Sequence, residues 1–247
     1  MPLYFNTADK IQENLDRNCC YDPAITYYDA EGNGIQYDHQ DLPELMPLFS
    51  PRVGFNYDIF GDQSAQLRGG SGLFTGRLPF VWIGNQVANP NWFFYNKTAN
   101  DFRFPQVWRS NLGYDQTFGN GWTASFDFIY TKDINAPFVG NYSLRPPSGR
   151  LNDPADQREV YTITDHSMDP FGGPLFGSGY VFLNTDIGYS FNASAKIEKS
   201  FDNGLNLMLG YNFLDAQDAS SIDAEISSDA FERNPALGNV NLPMAAP

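Results

Sequence analysis

Seven charged side chains recur at alternate positions within stretches that are otherwise apolar or small: Arg52, Arg68, Arg109, Asp115, Asp127, Lys196 and Glu198. Side chains two apart on an extended chain share a face, so these positions predict one charged surface rather than scattered loop charges. The chemistry such a surface can do is electrostatic: ion pairs that hold it to whatever packs there, and a polar path for a solute. Catalysis is poorly served. His39 and His166 are the only histidines and both fall in loop-like sequence, while the glycine-serine strings at 69–72 and 177–179 lack the G-x-S-x-G order of a nucleophile elbow. No enzyme, no metal site and no cofactor is expected. Residues Asp29 to Ile35 resemble the first half of a calcium loop, but position twelve is Gln40 in place of a bidentate Glu, so a turn between two short strands is expected there. Trp92, Phe93, Phe94 and Tyr95 form the densest aromatic run, and on a loop they would offer a surface for capturing a ligand by stacking.

The elements that must position the charged groups are β-strands. Phe49, Pro51, Val53, Phe55, Tyr57 and Ile59 alternate with Ser50, Arg52, Gly54, Asn56 and Asp58. After a turn at Gly61-Asp62-Gln63, a weaker alternation runs from Ala65 to Phe74. The pattern returns twice. Trp108, Leu112, Tyr114 and Phe118 lead through Gly119-Asn120-Gly121 into Trp122, Ala124, Phe126, Phe128 and Tyr130, the cleanest alternation in the chain. Ile187 to Glu198 then turns at Asp202-Asn203-Gly204 into Leu205 to Leu214. Between the hairpins, 78–104 and 132–184 show no sustained period and read as long loops, the second with too many prolines for a central strand and only a short hairpin near Glu159 to Thr164. Residues 1–48 and 218–247 read as loop regions flanking a strand region at 49–217, with one small hairpin around Gly32-Asn33-Gly34.

Composition agrees with a β-rich chain: 14 Tyr, 21 Phe, 22 Gly and 17 Pro among 247 residues favour strands and turns over helices. The net charge of -14 argues against a nucleic-acid partner, because nothing offsets phosphate repulsion. No apolar run reaches the ~20 residues a membrane helix needs, a test that a β-barrel passes unseen because its spans take only ~9–11 alternating residues. Cys19 and Cys20 are adjacent and cannot build a disulfide framework. The first residues lack the basic and apolar regions of a signal peptide, which predicts either a cytoplasmic protein or a missing beginning.

All the short turns lie on one side and all the long connections on the other, as in an outer-membrane barrel with short periplasmic turns and long extracellular loops. Tyr57, Trp108, Phe118, Trp122, Tyr130, Phe201 and Tyr211 fall near strand ends, where an interfacial girdle would sit. The expected fold is therefore all-β, a partial antiparallel transmembrane barrel wall of about six strands. Since ~8 strands is the minimum for closure, an internal stretch of a larger barrel is expected. The competing reading is a soluble, non-catalytic β-rich binding module, such as a glycan-binding one using Trp82 and the run from Trp92 to Tyr95. The two differ in where Trp122, Phe126 and Phe128 point: under a second sheet, or bare toward lipid.

The string SPRVGFNYDIFGDQSAQLRGGSGLFTGRLPFVWIGNQ at 50–86 resembles the barrel of TonB-dependent outer-membrane receptors, in particular the Oar-like branch that carries an N-terminal carboxypeptidase-regulatory-like domain. FRFPQVWRSNLGYDQ, FIYTKDINA and GYSFNASAKIEKSFDNGLNLMLGYNFLDAQD resemble later segments of the same barrel, so the likeness runs in order over about residues 43–220. The resemblance implies a barrel of ~22 strands closed by a plug, in the outer membrane of a Gram-negative bacterium. It also implies import of a bulky or scarce substrate with energy passed on by TonB. Outer-membrane lipid, the plug and TonB are its implied partners. It names no substrate, and the seven charged residues become candidates for the lumenal surface.

Overall fold

The computed structural model describes residues 24–44, 46–77, 81–88, 94–169, 171–174, 178–219, 226–234 and 236–247. In chain order, β1 (Tyr27–Tyr28) and β2 (Gly34–Ile35) form a small hairpin, followed by β3 (Arg52–Asp58) and β4 (Ala65–Thr75). Helix α1 (Val81–Ala88) and β5 (Phe94–Thr98) come next, then the long strands β6 (Gln106–Phe118) and β7 (Trp122–Asp133). β8 (Ala136–Asn141), the two-residue strands β9 (Gly149–Arg150) and β10 (Glu159–Val160), and β11 (Ser178–Thr185) precede β12 (Tyr189–Ser200) and β13 (Asn206–Gln217). Helix α2 (Ser227–Glu232) follows.

Two regions result. The first is a six-stranded antiparallel sheet in the order β13-β12-β7-β6-β4-β3, so that each strand pairs with its neighbour in the wall's own sequence order. Its three short turns use left-handed backbone where the sequence supplies tolerant residues: Gly61 and Gln63, Asn120 and Gly121, and Gly204. Asp58 fastens the first of these by accepting from the backbone N–H groups of Gly61 and Gln63. The wall is a single layer, and no described helix or strand packs to any extent on either of its faces. No pairing joins the outer edge of β3 to that of β13 among the described residues.

The second region, the cap, is built from the long connections and the flanking segments. Its mixed sheet, β5-β11-β8, pairs β11 parallel to β5 and antiparallel to β8. Ile25, Tyr27, Phe102, Val139, Val181 and Phe182 are central to its core, and α2 contributes Ala230. Here the loop expectation for 78–104, 132–184 and 218–247 is corrected: these segments hold α1, β5, β8, β11 and α2. The proline argument misled because Pro137 sits on the edge strand β8, where a missing N–H costs nothing, while the central strand β11 contains no proline. The small hairpin near Gly32 forms as expected, whereas of Glu159 to Thr164 only Glu159–Val160 is strand, paired with Gly149–Arg150, and Ile163–Asp165 is a 3-10 turn. Cys19 and Cys20 lie outside the described residues.

Candidate functional site

Strand alternation carries all seven charged candidates to one face of the wall. The register aligns Arg68 with Gly113 and Gly113 with Asp127, so Arg68 on β4 and Asp127 on β7 stand on either side of a residue with no side chain. Arg68 reaches across. Its Nη1 lies 2.8 Å from Asp127 Oδ1 and its Nε 2.8 Å from Asp115 Oδ2, so one guanidinium ties three strands together. A Cβ on Gly113 would fall 2.7 Å from Arg68 Cζ and 2.8 Å from Asp127 Oδ1, which is closer than carbon tolerates. Gly113 is thus part of the charged site, and sequence reasoning missed it. The one available signal was a glycine interrupting an alternating strand opposite charged positions.

The other candidates are dispersed over the same face. Arg109 Nε donates to Thr131 Oγ1 at 3.1 Å. Lys196 pairs along its own strand with Glu198 at 3.0 Å. The Arg52 guanidinium lies 4.3 Å from the centre of the Phe74 ring. All of these groups are partly or fully exposed, so single pairs here are worth about 0–1 kcal/mol and the shared Arg68 fork is the firmer feature.

The opposite face of the wall is apolar and bare. Phe55 is 51% exposed, Phe126 53% and Phe128 41%, and on β13 Leu209 and Tyr211 are exposed as well. Phe191 meets Phe128 edge-on at 4.8 Å and Phe213 at 6.0 Å, a cross-strand aromatic chain worth about 0.5–1.5 kcal/mol per pair. The few polar groups on this face satisfy one another: Ser71 and Ser110 hydroxyls at 2.7 Å, Trp108 Nε1 donating to Ser110 Oγ at 3.0 Å, and the Tyr114 hydroxyl donating to Gln116. Each end of the face carries aromatic residues beside a lysine. At the turns, Lys199 Nζ sits 5.5 Å from the Trp122 ring centre and 5.1 Å from that of Phe201, and donates to the Asn120 carbonyl. At the cap end, Lys132 lies in register with Trp108 and Tyr189 and donates to the carbonyls of Asp186 and Gly188.

The aromatic run fares differently. Phe94 and Tyr95 are not on a loop but open β5, in register with Ser178 and Gly179, because the cap sheet recruits them. Trp92 and Phe93 lie outside the described residues. The Asp29 segment is the expected turn: its carboxylate accepts from the backbone of Glu31 and Asn33 and from Asn33 Nδ2, with Gly32 in left-handed backbone. Among the described residues no group of His, Cys, Asp and Glu is placed to hold a metal.

His39 is buried in the cap, where its Nε2 hydrogen-bonds the Gln86 carbonyl. Gln86 donates to the carbonyls of His39 and Asp41 and accepts from Thr98 N–H, and buried Lys97 donates to the carbonyls of Asp38 and Asp41. This polar knot fastens the segment at 38–41 to α1 and β5. Burial, reinforced by their proximity, pushes the His39 imidazole down to about 4, and burial brings the Lys97 amine down to about 8. A neutral, enclosed imidazole of this kind serves structure.

No family model and no curated protein matches the chain. Among solved structures, the outer membrane transporter YddB from Escherichia coli is similar at 12% identity and a TM-score of 0.46, over 87% of this chain and 23% of that one. The chain thus spans less than a quarter of that transporter's length. No described helix is long and apolar enough to cross a membrane, which says nothing of strands.

Proposed function

We propose that the six-stranded sheet is part of the wall of an outer-membrane β-barrel receptor or transporter, with its aromatic face against lipid, its charged face toward the lumen and the cap outside. The observation that carries this reading is the bare face holding Phe55, Phe126, Phe128 and Tyr211, which no described element covers. Water would leave such a surface prone to association, and a soluble module would bury it under a second sheet. Hydrocarbon suits it.

The dimensions agree. Trp122 and Lys132, one in each aromatic-lysine belt, are ten residues apart on β7. At ~3.3 Å per residue and a tilt of ~40° they are separated by ~25 Å across a bilayer, the height of a barrel's apolar band. The open edges of β3 and β13 must each be met by a further strand in lipid, since an unsatisfied backbone group there costs several kcal/mol. The Arg68–Asp115–Asp127 fork would then stiffen the wall from the lumenal side. In this reading the chain is non-catalytic, and Arg52, Arg109, Lys196 and Glu198 line the lumen with it. The likeness of residues 50–86 to the TonB-dependent receptors, and within them to the Oar-like branch, is the basis for the finer assignment. It brings a plug and TonB as partners and import of a scarce or bulky substrate as the task.

The test is paired substitution at adjacent positions of β7, scored by recovery of folded protein in the outer-membrane fraction. Phe128→Asp should abolish assembly and Asp127→Asn should leave it intact. Equal tolerance at both positions would refute the assignment of faces.

A further inference from the structure

The cap bears an open pocket of about 430 Å³, within the ~300–1,000 Å³ typical of small-molecule sites. Tyr142, directly after β8, lines it together with Glu31, Asp101 and Arg103. These residues come from three separated segments, and three asparagines fix the chain around them. Asn184 accepts from the Arg103 N–H at 2.6 Å and donates to the Arg103 carbonyl at 3.0 Å. Asn241 donates to the carbonyls of Asn141 and Leu144, both at 3.0 Å, and accepts from Asn141 N–H at 2.7 Å. Asn239 donates to the Ala30 carbonyl at 2.7 Å. The amides are fully committed to holding backbone, so the cavity is preformed.

Four polar groups around it are not committed. Tyr142 is only 7% exposed as a residue, and its hydroxyl hydrogen-bonds no described residue, which leaves it open to the cavity. Burial first, then the carboxylates of Asp29, Glu31 and Asp101, push that phenol up to about 12, so it is a neutral donor at physiological pH. Asp29 is occupied by its turn. Glu31, Asp101 and Arg103 are exposed at the mouth and join no ion pair among the described residues. Fixed charges of both signs therefore face one cavity without neutralising each other.

We propose that this cavity binds a small zwitterion, an amino acid or short peptide, with its ammonium on Glu31 and Asp101, its carboxylate on Arg103 and the Tyr142 hydroxyl as a further partner. A neutral sugar would leave all three charges uncompensated; a simple cation would leave Arg103, and a simple anion would face two carboxylates. The site stands on the cap alone and does not depend on the sheet lying in a membrane.

Isothermal titration of the full chain in detergent micelles tests it, with glycylglycine as the probe and N-acetylglycine, glycinamide and maltose as comparisons. Glycylglycine should bind saturably and each singly blocked compound about tenfold more weakly, the loss of one charged hydrogen bond. Arg103→Gln should weaken glycylglycine about tenfold and leave glycinamide unaffected; Asp101→Asn should weaken both glycylglycine and glycinamide and spare N-acetylglycine. Tyr142→Phe, which keeps the ring, should weaken glycylglycine severalfold with an unchanged circular dichroism spectrum. Absence of saturable glycylglycine binding, binding of maltose as tight as the dipeptide's, or indifference of the dipeptide to Arg103→Gln and Asp101→Asn would each overturn the proposal.

Discussion

The wall and the cap use the same aromatic vocabulary in opposite ways. In the cap Phe138 and Phe182 are 2% and 1% exposed and pack in an ordinary core, while in the wall Phe55 and Phe126 keep half their surface bare. Charge inverts too. The cap buries Lys97 and His39 at a cost to their ionisation, whereas the wall keeps its Arg68 fork on the open, polar side. In the proposed reading the difference is one of solvent: the cap excludes water from its apolar groups, and the wall presents its apolar groups to a medium that is not water.

Several substitutions would break or sharpen that contrast, and they rank by expected effect. Phe182→Ala in the cap core should cost about 3–5 kcal/mol and be seen as lost amide-exchange protection across β5, β8 and β11, with the wall amides unaffected. Phe128→Arg, at mid-height on the bare face, should cost about 2–4 kcal/mol of folding free energy in vesicles, measured by reversible denaturation, and much less in aqueous detergent with a wide polar shell. Gly113→Ala should cost about 0–1 kcal/mol, because the methyl displaces only the far ends of the partly exposed Arg68 and Asp127 side chains. Gly210→Ala, with only the Ala195 carbonyl at 3.8 Å near its Cβ, should be close to neutral in the same denaturation assay.

Acid gives a smaller and more selective effect. His39 is depressed in the folded cap to about 4 from an ordinary 6.5, so below 6.5 the unfolded chain binds a proton that the folded one refuses. Its contribution is complete above pH 6.5 and falls away as pH drops toward 4. The cap's amide protection should therefore weaken over that window, and His39→Gln should flatten the slope. Lys97 acts in the same sense at higher pH: cap stability should rise between about 8 and 10.5, where only the unfolded amine is protonated.

How much of this was legible in the chain follows from the range of the interactions. The wall's strands were readable because alternation from Trp122 to Tyr130 and the turn at Gly119-Asn120-Gly121 are local, and because each wall strand pairs with the next. The charged face followed from the same parity. The cap was not readable, because its contacts join distant segments: the Arg103–Asn184 clamp spans 81 residues and the Asn239–Ala30 bond 209. Nothing in the string around Phe94 and Tyr95 announces a parallel partner that begins at Ser178. For the same reason the cavity beside Tyr142 has no sequence signature, whereas Gly113 had a faint one in its position opposite Arg68.

The central claim is that the two faces of the wall meet different media. It is tested most directly by placing single cysteines from Ser125 to Tyr130 on β7, in a background with Cys19 and Cys20 replaced by serine. Each is labelled with an environment-sensitive fluorophore and reconstituted into vesicles carrying a lipid-phase quencher. Labels at 126, 128 and 130 should be blue-shifted and quenched, and labels at 125, 127 and 129 should remain in a polar environment, giving a period of two along the strand. Uniform quenching, or none at any of the six positions, would contradict it.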